Sequence, residues 1–137
     1  MVIAIQREDV NIGSLIEQAK HAGTGAIVIF DGIVRDDDIT GMELEAYEDV
    51  ALRELEHIAA DASQQHHLLS VDIIHRTGRL EVGENILIIV VSAAHRKEAY
   101  AGSRYILETI KERVPIWKKE FRRGGERWVP GESKDPR

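Results

Sequence analysis

Cations gather in one short stretch near the end of this chain: Lys111-Glu-Arg-Val-Pro115-Ile-Trp117-Lys118-Lys119-Glu120. Residues 1–95 hold 6 Lys/Arg against 17 Asp/Glu, whereas residues 96–127 hold 10 against 5. A positive zone on a protein of net charge −6 suits one specific anion, because the field is focused rather than spread over the surface. Lysine adds a second capacity: when partly buried its pKa falls and it can act as base or nucleophile.

Other cations fall where regular elements are expected to end. Arg35 follows an apolar run through Ile33-Val34, and His95-Arg96 follows Val91-Ser-Ala-Ala94 and opens a helical pattern. Rigid elements meeting loops are common places for binding residues, and a helix start presents free N–H groups to phosphate. Each residue also has a structural reading. Arg35 can simply neutralise Asp36, Asp37 and Asp38. His95 can be an ordinary helix-start histidine, and Lys111 can serve the helix dipole. Lys118 and Lys119 alternate along a strand, so at most one faces a given pocket. Trp117 suits a core as well as a stacking platform. His66-His67 and His75 lack the spacing of a metal site, and neither a metal nor a cofactor is called for.

The chain has 137 residues and no cysteine, which allows one domain with a real core and excludes disulfides and thiolate chemistry. Any sulfur it handles must arrive on a partner or substrate. No basic-then-apolar leader opens the sequence and no apolar run approaches membrane-spanning length, so a soluble cytoplasmic protein without a membrane partner is expected. Net acidity argues against broad nucleic-acid binding.

The elements that must position these residues follow from periodicity. Met1–Ile5 reads as a strand. A helix capped by Asp9 or Asn11 carries Ile12, Leu15, Ile16 and Ala19. Ala26–Phe30 reads as a buried strand running on to Arg35, and Met42–Tyr47 as a half-exposed one. Residues 50–66 place Leu52, Leu55, Ile58, Ala59 and Ala62 on one helical face. Val71, Ile73 and Ile74 begin a strand, Leu80–Glu84 looks like a turn, and Ile86–Val91 is a second buried strand. A helix over 97–113 is stopped by Pro115. Ile116–Phe121, Gly124-Gly125 and Glu126–Val129 form a hairpin. The mixture lacks strict βαβ alternation, so the expected class is α+β, with a mixed sheet, packed helices and a C-terminal hairpin. Residues 1–129 are expected to form a single catalytic domain and 130–137 a polar tail.

In order and spacing these segments resemble the large, catalytic subunit of molybdopterin synthase. The resemblance is carried by Gly25-Ala-Ile-Val-Ile-Phe-Asp-Gly-Ile-Val-Arg35, Leu44-Glu-Ala-Tyr47, Ile74-His-Arg-Thr-Gly-Arg-Leu80, Ser92-Ala-Ala-His-Arg96, Lys111, Pro115-Ile-Trp-Lys-Lys-Glu120 and Gly125-Glu-Arg-Trp-Val129. It implies an α/β-hammerhead type of fold and a homodimer at the centre of a heterotetramer. It also implies a small ubiquitin-like partner whose Gly-Gly thiocarboxylate tail supplies sulfur to a pterin phosphate substrate. Carried over position by position, it marks Ile33, Val34, Arg35, His95, Arg96, Lys111, Lys118, Lys119 and Glu120 as substrate-binding. Among these, Lys111, Lys118 and His95 are the candidate catalytic residues. Ile33 stands where the family often has a basic residue, which leaves a backbone contact there. Two other readings stay open from the residues alone: a non-catalytic anion- or nucleotide-binding module, and an assembly subunit that accepts a partner's tail without turnover.

Overall fold

The computed structural model describes residues 1–122 and 124–129. The chain runs β1 (Ile3–Gln6), α1 (Ile12–Gln18), β2 (Ala26–Ile33), β3 (Gly41–Ala46), α2 (Glu48–His66), β4 (Leu68–Arg76), β5 (Gly78–Glu81), β6 (Asn85–Ala93), α3 (Arg96–Arg113), β7 (Ile116–Arg122) and β8 (Gly125–Trp128). The α+β class read from the sequence is the one observed. The strands divide between two four-stranded sheets, ordered β1-β4-β6-β2 and β5-β3-β7-β8. The first is mixed, because β1 pairs parallel to β4 while β6 runs antiparallel to both its neighbours. Every pairing in the second is antiparallel.

The first sheet is covered on both faces, which explains the continuous apolar runs of β4 and β6. Val71, Ile73, Ile89 and Val91 face one way and join Leu55 and Ile58 of α2 and Ile106 of α3 in the main core. Ile74, Ile88 and Val90 face the other way and pack with Leu15 and Ala19 at α1. The period of 2 along each strand makes this sorting automatic.

Local chemistry sets the boundaries. Asn11 caps α1, its side-chain oxygen accepting from the Ser14 N–H at 3.0 Å. His67 adopts the left-handed conformation (φ 54°) that ends α2 and turns the chain into β4. Val114 is extended and Pro115 follows it, so α3 stops at Arg113. Two expectations need correction. The strand at 26–30 is an edge strand with Ile29 40% exposed, because among the described residues β2 has only β6 as a neighbour. Leu80 and Glu81 are strand rather than turn: they pair with Met42 and Gly41, and the reversal narrows to Val82-Gly83, where Gly83 takes φ +95°. In the C-terminal hairpin, β7 and β8 pair as expected, with Gly125 opposite Arg122. Position 123 and the tail from Pro130 lie outside the described residues.

Candidate functional site

The last turns of α3 and the start of β7 enclose a cavity of about 310 Å³ together with the ends of β2 and β4. Helix α3 contributes Leu107, Ile110 and Lys111, and Val114 follows. These positions lie three and four residues apart and therefore share one face. Lys111 thus sits at the edge of an apolar stripe whose buried part, Ile106 and Ile110, anchors the helix on the core. Proline at 115 ends the helix one residue after Val114 and lets the chain enter β7 beside the same cavity.

Alternation along β7 sends Ile116 and Lys118 toward the cavity and Trp117 and Lys119 away from it. Trp117 packs edge-on against Tyr47, ring centroids 4.9 Å apart. Lys119 lies over the Trp128 ring, 4.6 Å from its centroid, and 3.4 Å from the Glu126 carboxylate. Lys118, not Lys119, is therefore the lysine that joins Lys111. Glu120 lies outside the cavity lining: its carboxylate accepts from Arg122 at 2.9 Å and from Arg127 at 3.2 Å. Burial pushes its pKa up, and those two guanidinium hydrogen bonds outweigh that push and hold it below the usual carboxylate range.

Gly32 and Ile33 reach the cavity because the ladder between β2 and β6 shifts register between them. A side chain at Gly32 would press on the Phe30 ring, 3.1 Å from its nearest edge atom. Val34 is buried, and both its backbone groups are engaged: its N–H donates to Glu84 and its carbonyl accepts from Gly83. Its side chain belongs to the main core and does not line the cavity. Arg35 is 86% exposed beside Asp37 at 3.8 Å, outside the cavity lining.

His95 and Arg96 border a separate hollow with Gly25, Ala94 and Lys97 at the start of α3. The His95 ring stands 4.0 Å from Glu98. Arg96 and Lys111 belong to the same helix, fifteen positions apart, which separates them by roughly 22 Å along its axis. Within one chain the two cation groups cannot grip the same small molecule.

The structure adds a residue that spacing alone did not single out as functional. His75, at the end of β4, lines the cavity and is 5% exposed. Its Nδ1 lies 2.9 Å from the Arg76 carbonyl. Burial drives its pKa down to about 4, the carbonyl hydrogen bond opposes that, and the Lys118 charge adds to the lowering. The sequence did hold a signal: His75 continues the core-facing series Val71, Ile73, where an apolar residue would be expected. Among the described residues no cluster of three or more His, Asp or Glu side chains could hold a metal ion, and no helix is long and apolar enough to cross a membrane.

Residues 5–113 match the family described as MoaE protein. That span covers well over half of the chain. The chain belongs to the MoaE family, the catalytic subunits of molybdopterin synthase. This MoaE chain is 41% identical over 133 residues to the molybdopterin synthase catalytic subunit of Pyrococcus abyssi, covering 94% of this chain and 90% of the relative. The Bacillus subtilis subunit is 38% identical over 91% of this chain and 82% of its own length. Among solved structures, molybdopterin synthase from Staphylococcus aureus superposes with a TM-score of 0.87 at 34% identity, covering 91% of this chain and 94% of that one. The Helicobacter pylori complex of subunits 1 and 2 of molybdopterin-converting factor shares the fold, with a TM-score of 0.81 at 23% identity. The family match of this MoaE chain takes in Ile33–Arg35, His75, His95-Arg96 and Lys111. Lys118 lies beyond it, within the span shared with the relatives.

Proposed function

We propose that this chain transfers sulfur from the thiocarboxylated Gly-Gly C-terminus of a small ubiquitin-like partner to cyclic pyranopterin monophosphate, forming the dithiolene of molybdopterin. The observation that carries this reading is the convergence of Lys111 and Lys118 on one largely apolar cavity in a chain of this family. The absence of cysteine fits a sulfur atom delivered from outside. Each dithiolene sulfur consumes one thiocarboxylate, and opening the cyclic phosphate leaves a more negative group. Cations held in apolar surroundings stabilise charge that grows during reaction, which is where stabilisation raises rate. Lys111 serves as the central catalytic cation. Lys118 meets the tail carboxylate or the phosphate, and a Gly-Gly tail is slim enough to enter where side chains would clash.

His95, Arg96 and Arg35 enter this reading through a homodimer. Since Arg96 and Lys111 stand at opposite ends of α3, a shared substrate would meet Lys111 and Lys118 of one protomer and His95-Arg96 of the other. Arginine suits phosphate oxygens as a planar donor fork, and His95 is placed to move a proton. Lys119 and Glu120, turned into ion pairs beside the cavity, shape β7 and β8 rather than touching substrate. The assembly is a homodimer flanked by two small subunits, located in the cytoplasm. The test is reconstitution: mixed with a thiocarboxylated partner and the cyclic pterin precursor, the protein yields a dithiolene product detectable by mass spectrometry. No product from a competent partner and substrate would sink the reading.

A further inference from the structure

Of the segment Ile74–Leu80, which carries part of the family resemblance, only His75 lines either hollow. Arg76, beside it at the end of β4, is buried, and its guanidinium makes four hydrogen bonds to two other segments. Nε and Nη2 both donate to the Arg7 carbonyl just beyond β1, at 3.0 and 2.8 Å. Nη1 donates to the Glu84 carboxylate at 3.2 Å and to the Asn85 carbonyl at 3.1 Å. Glu84 and Asn85 also grip the end of β2. Val34 donates to the Glu84 carbonyl at 2.9 Å and accepts from the Gly83 N–H at 2.7 Å, while Ile33 pairs with Asn85. These contacts lie beyond the register shift between Gly32 and Ile33, so the regular ladder of β2 and β6 does not by itself set where the segment 33–35 stands. The turn over 81–85 sets it, and Glu84 closes that turn. Its Oε2 accepts from the Glu81 N–H at 2.6 Å while its Oε1 accepts from Arg76. Those two hydrogen bonds, the Glu81 one foremost, hold the carboxyl below the usual carboxylate range. Asn85 is fixed as well, its side-chain N–H donating to Asp9 at 3.0 Å. A buried ion pair is a weak route to stability, because well-packed apolar side chains serve as well or better. A guanidinium supplies what they cannot: a rigid fork of donors that holds separate segments at one spacing.

We propose that Arg76 is a positioning residue and Glu84 its relay: together they fix the turn that holds Ile33–Arg35, and so set where the Arg35 side chain starts and what it can reach. The path runs from the Arg76 guanidinium to the Glu84 carboxylate, from the Glu84 carbonyl to the Val34 N–H, and across one peptide bond to Arg35. Arg35 is 86% exposed, so packing does not hold its side chain and its aim comes from the backbone that carries it. That Arg35 grips the substrate's phosphate rests on the function proposed above; the hold on its backbone does not.

The experiment compares Glu84→Ala and Arg76→Lys with wild type, each also combined with Arg35→Ala. Lysine keeps the charge of Arg76 and loses its fork. The first readout is amide hydrogen exchange, which needs no substrate. The Val34 amide should exchange at least about tenfold faster in both variants, while Ile89, in the middle of β6, changes far less, because the loss is local to the turn. The second readout is steady-state kinetics with the thiocarboxylated partner and the cyclic pterin precursor. Each variant should raise the KM for the precursor about fivefold with kcat nearly unchanged, and should add little once Arg35 is already alanine. If Arg76→Lys fails to fold, Glu84→Ala, on the partly exposed turn, decides alone. Unchanged exchange at Val34, or equal acceleration at Val34 and Ile89, overturns the proposal. So does a KM effect as large in the Arg35→Ala background as in wild type. Local acceleration at Val34 in a protein that makes no product would uphold the hold on this segment and reject the catalytic reading.

Discussion

At the scale of single residues, neighbouring cations separate into different tasks. Lys118 and Lys119 are adjacent in sequence, yet only Lys118 faces the cavity, while Lys119 rests on Trp128 beside Glu126. Lys111→Ala should lower turnover at least about tenfold, roughly 1.4 kcal/mol of transition-state stabilisation, while thermal unfolding moves little. Steady-state kinetics beside a melting curve checks both halves. Lys118→Glu should weaken engagement of the partner's tail in a salt-dependent way, measured by calorimetric titration with full-length and tail-truncated partner. Unchanged affinity and turnover with the full-length partner would remove Lys118 from the tail's path. His75 makes a pH prediction. Its folded pKa is depressed to about 4 from 6.5, so the unfolded chain takes up the proton first as pH falls. Its neutral state contributes stability above pH 6.5, and that contribution drains away between 6.5 and 4, by about 3 kcal/mol in total. Burial is the main cause of that depression, and the Lys118 charge on β7, lining the same cavity, adds to it. Urea unfolding at pH 7 and pH 4.5 should show a stability loss in wild type that is markedly smaller in His75→Phe. Equal losses in the two proteins would remove His75 as its source.

Helix α3 is the element that organises the site, because it carries a cationic group at each end: His95-Arg96 at its start and Lys111 in its last turn. Its direction is set where β2 and β6 begin and end. The Gly25 N–H donates to the Ala93 carbonyl at 2.9 Å, and any Cβ at Gly25 would collide with the Ala94 carbonyl oxygen. The obstructing atom is backbone, one residue before His95, and cannot rotate away. Gly25→Ala should therefore destabilise by about 1–3 kcal/mol and displace the His95-Arg96 segment. Thermal unfolding checks the first effect, and amide chemical shifts of residues 94–97 check the second. Wild-type values for both would show that the backbone relaxes freely here. At the other end, Pro115 converts the helix into β7 within two residues, which keeps Lys111 and Lys118 on one cavity.

On the scale of the whole molecule, two separate cation groups on one chain predict a signature of assembly. If a homodimer pairs Lys111 of one protomer with Arg96 of the other, Arg96→Ala and Lys111→Ala proteins should each be impaired alone. Equal mixtures, dissociated and reassembled at random, should regain about a quarter of wild-type activity, since half the dimers are mixed and each holds one intact site. Size-exclusion chromatography with light scattering establishes that reassembly occurred. No recovery in reassembled dimers would place both groups at independent sites.

Much of this molecule was legible in its amino-acid order. Continuous apolar runs marked β4 and β6, alternation marked β3, and the 3.6 period marked α2 and α3, because burial on a strand or helix follows chain geometry directly. Pro115 marked the end of α3 through local stereochemistry, and Asp9 and Asn11 were the two candidate caps for α1, of which Asn11 is the one used. Cysteine absence and the charge contrast at 96–127 followed from composition alone. Other features required the tertiary structure, because each depends on which distant segment lies alongside. Val82-Gly83 became the turn only through pairing of β5 with β3, and β2 became an edge strand because no strand among the described residues pairs beyond it. Arg35, His95-Arg96 and Lys111-Lys118 looked like one cationic set in sequence, but helix length and strand direction divide them in space. His75 entered the cavity only because the end of β4, in the first sheet, lines the same hollow as Lys118 of β7, in the second, a meeting that no local pattern encodes.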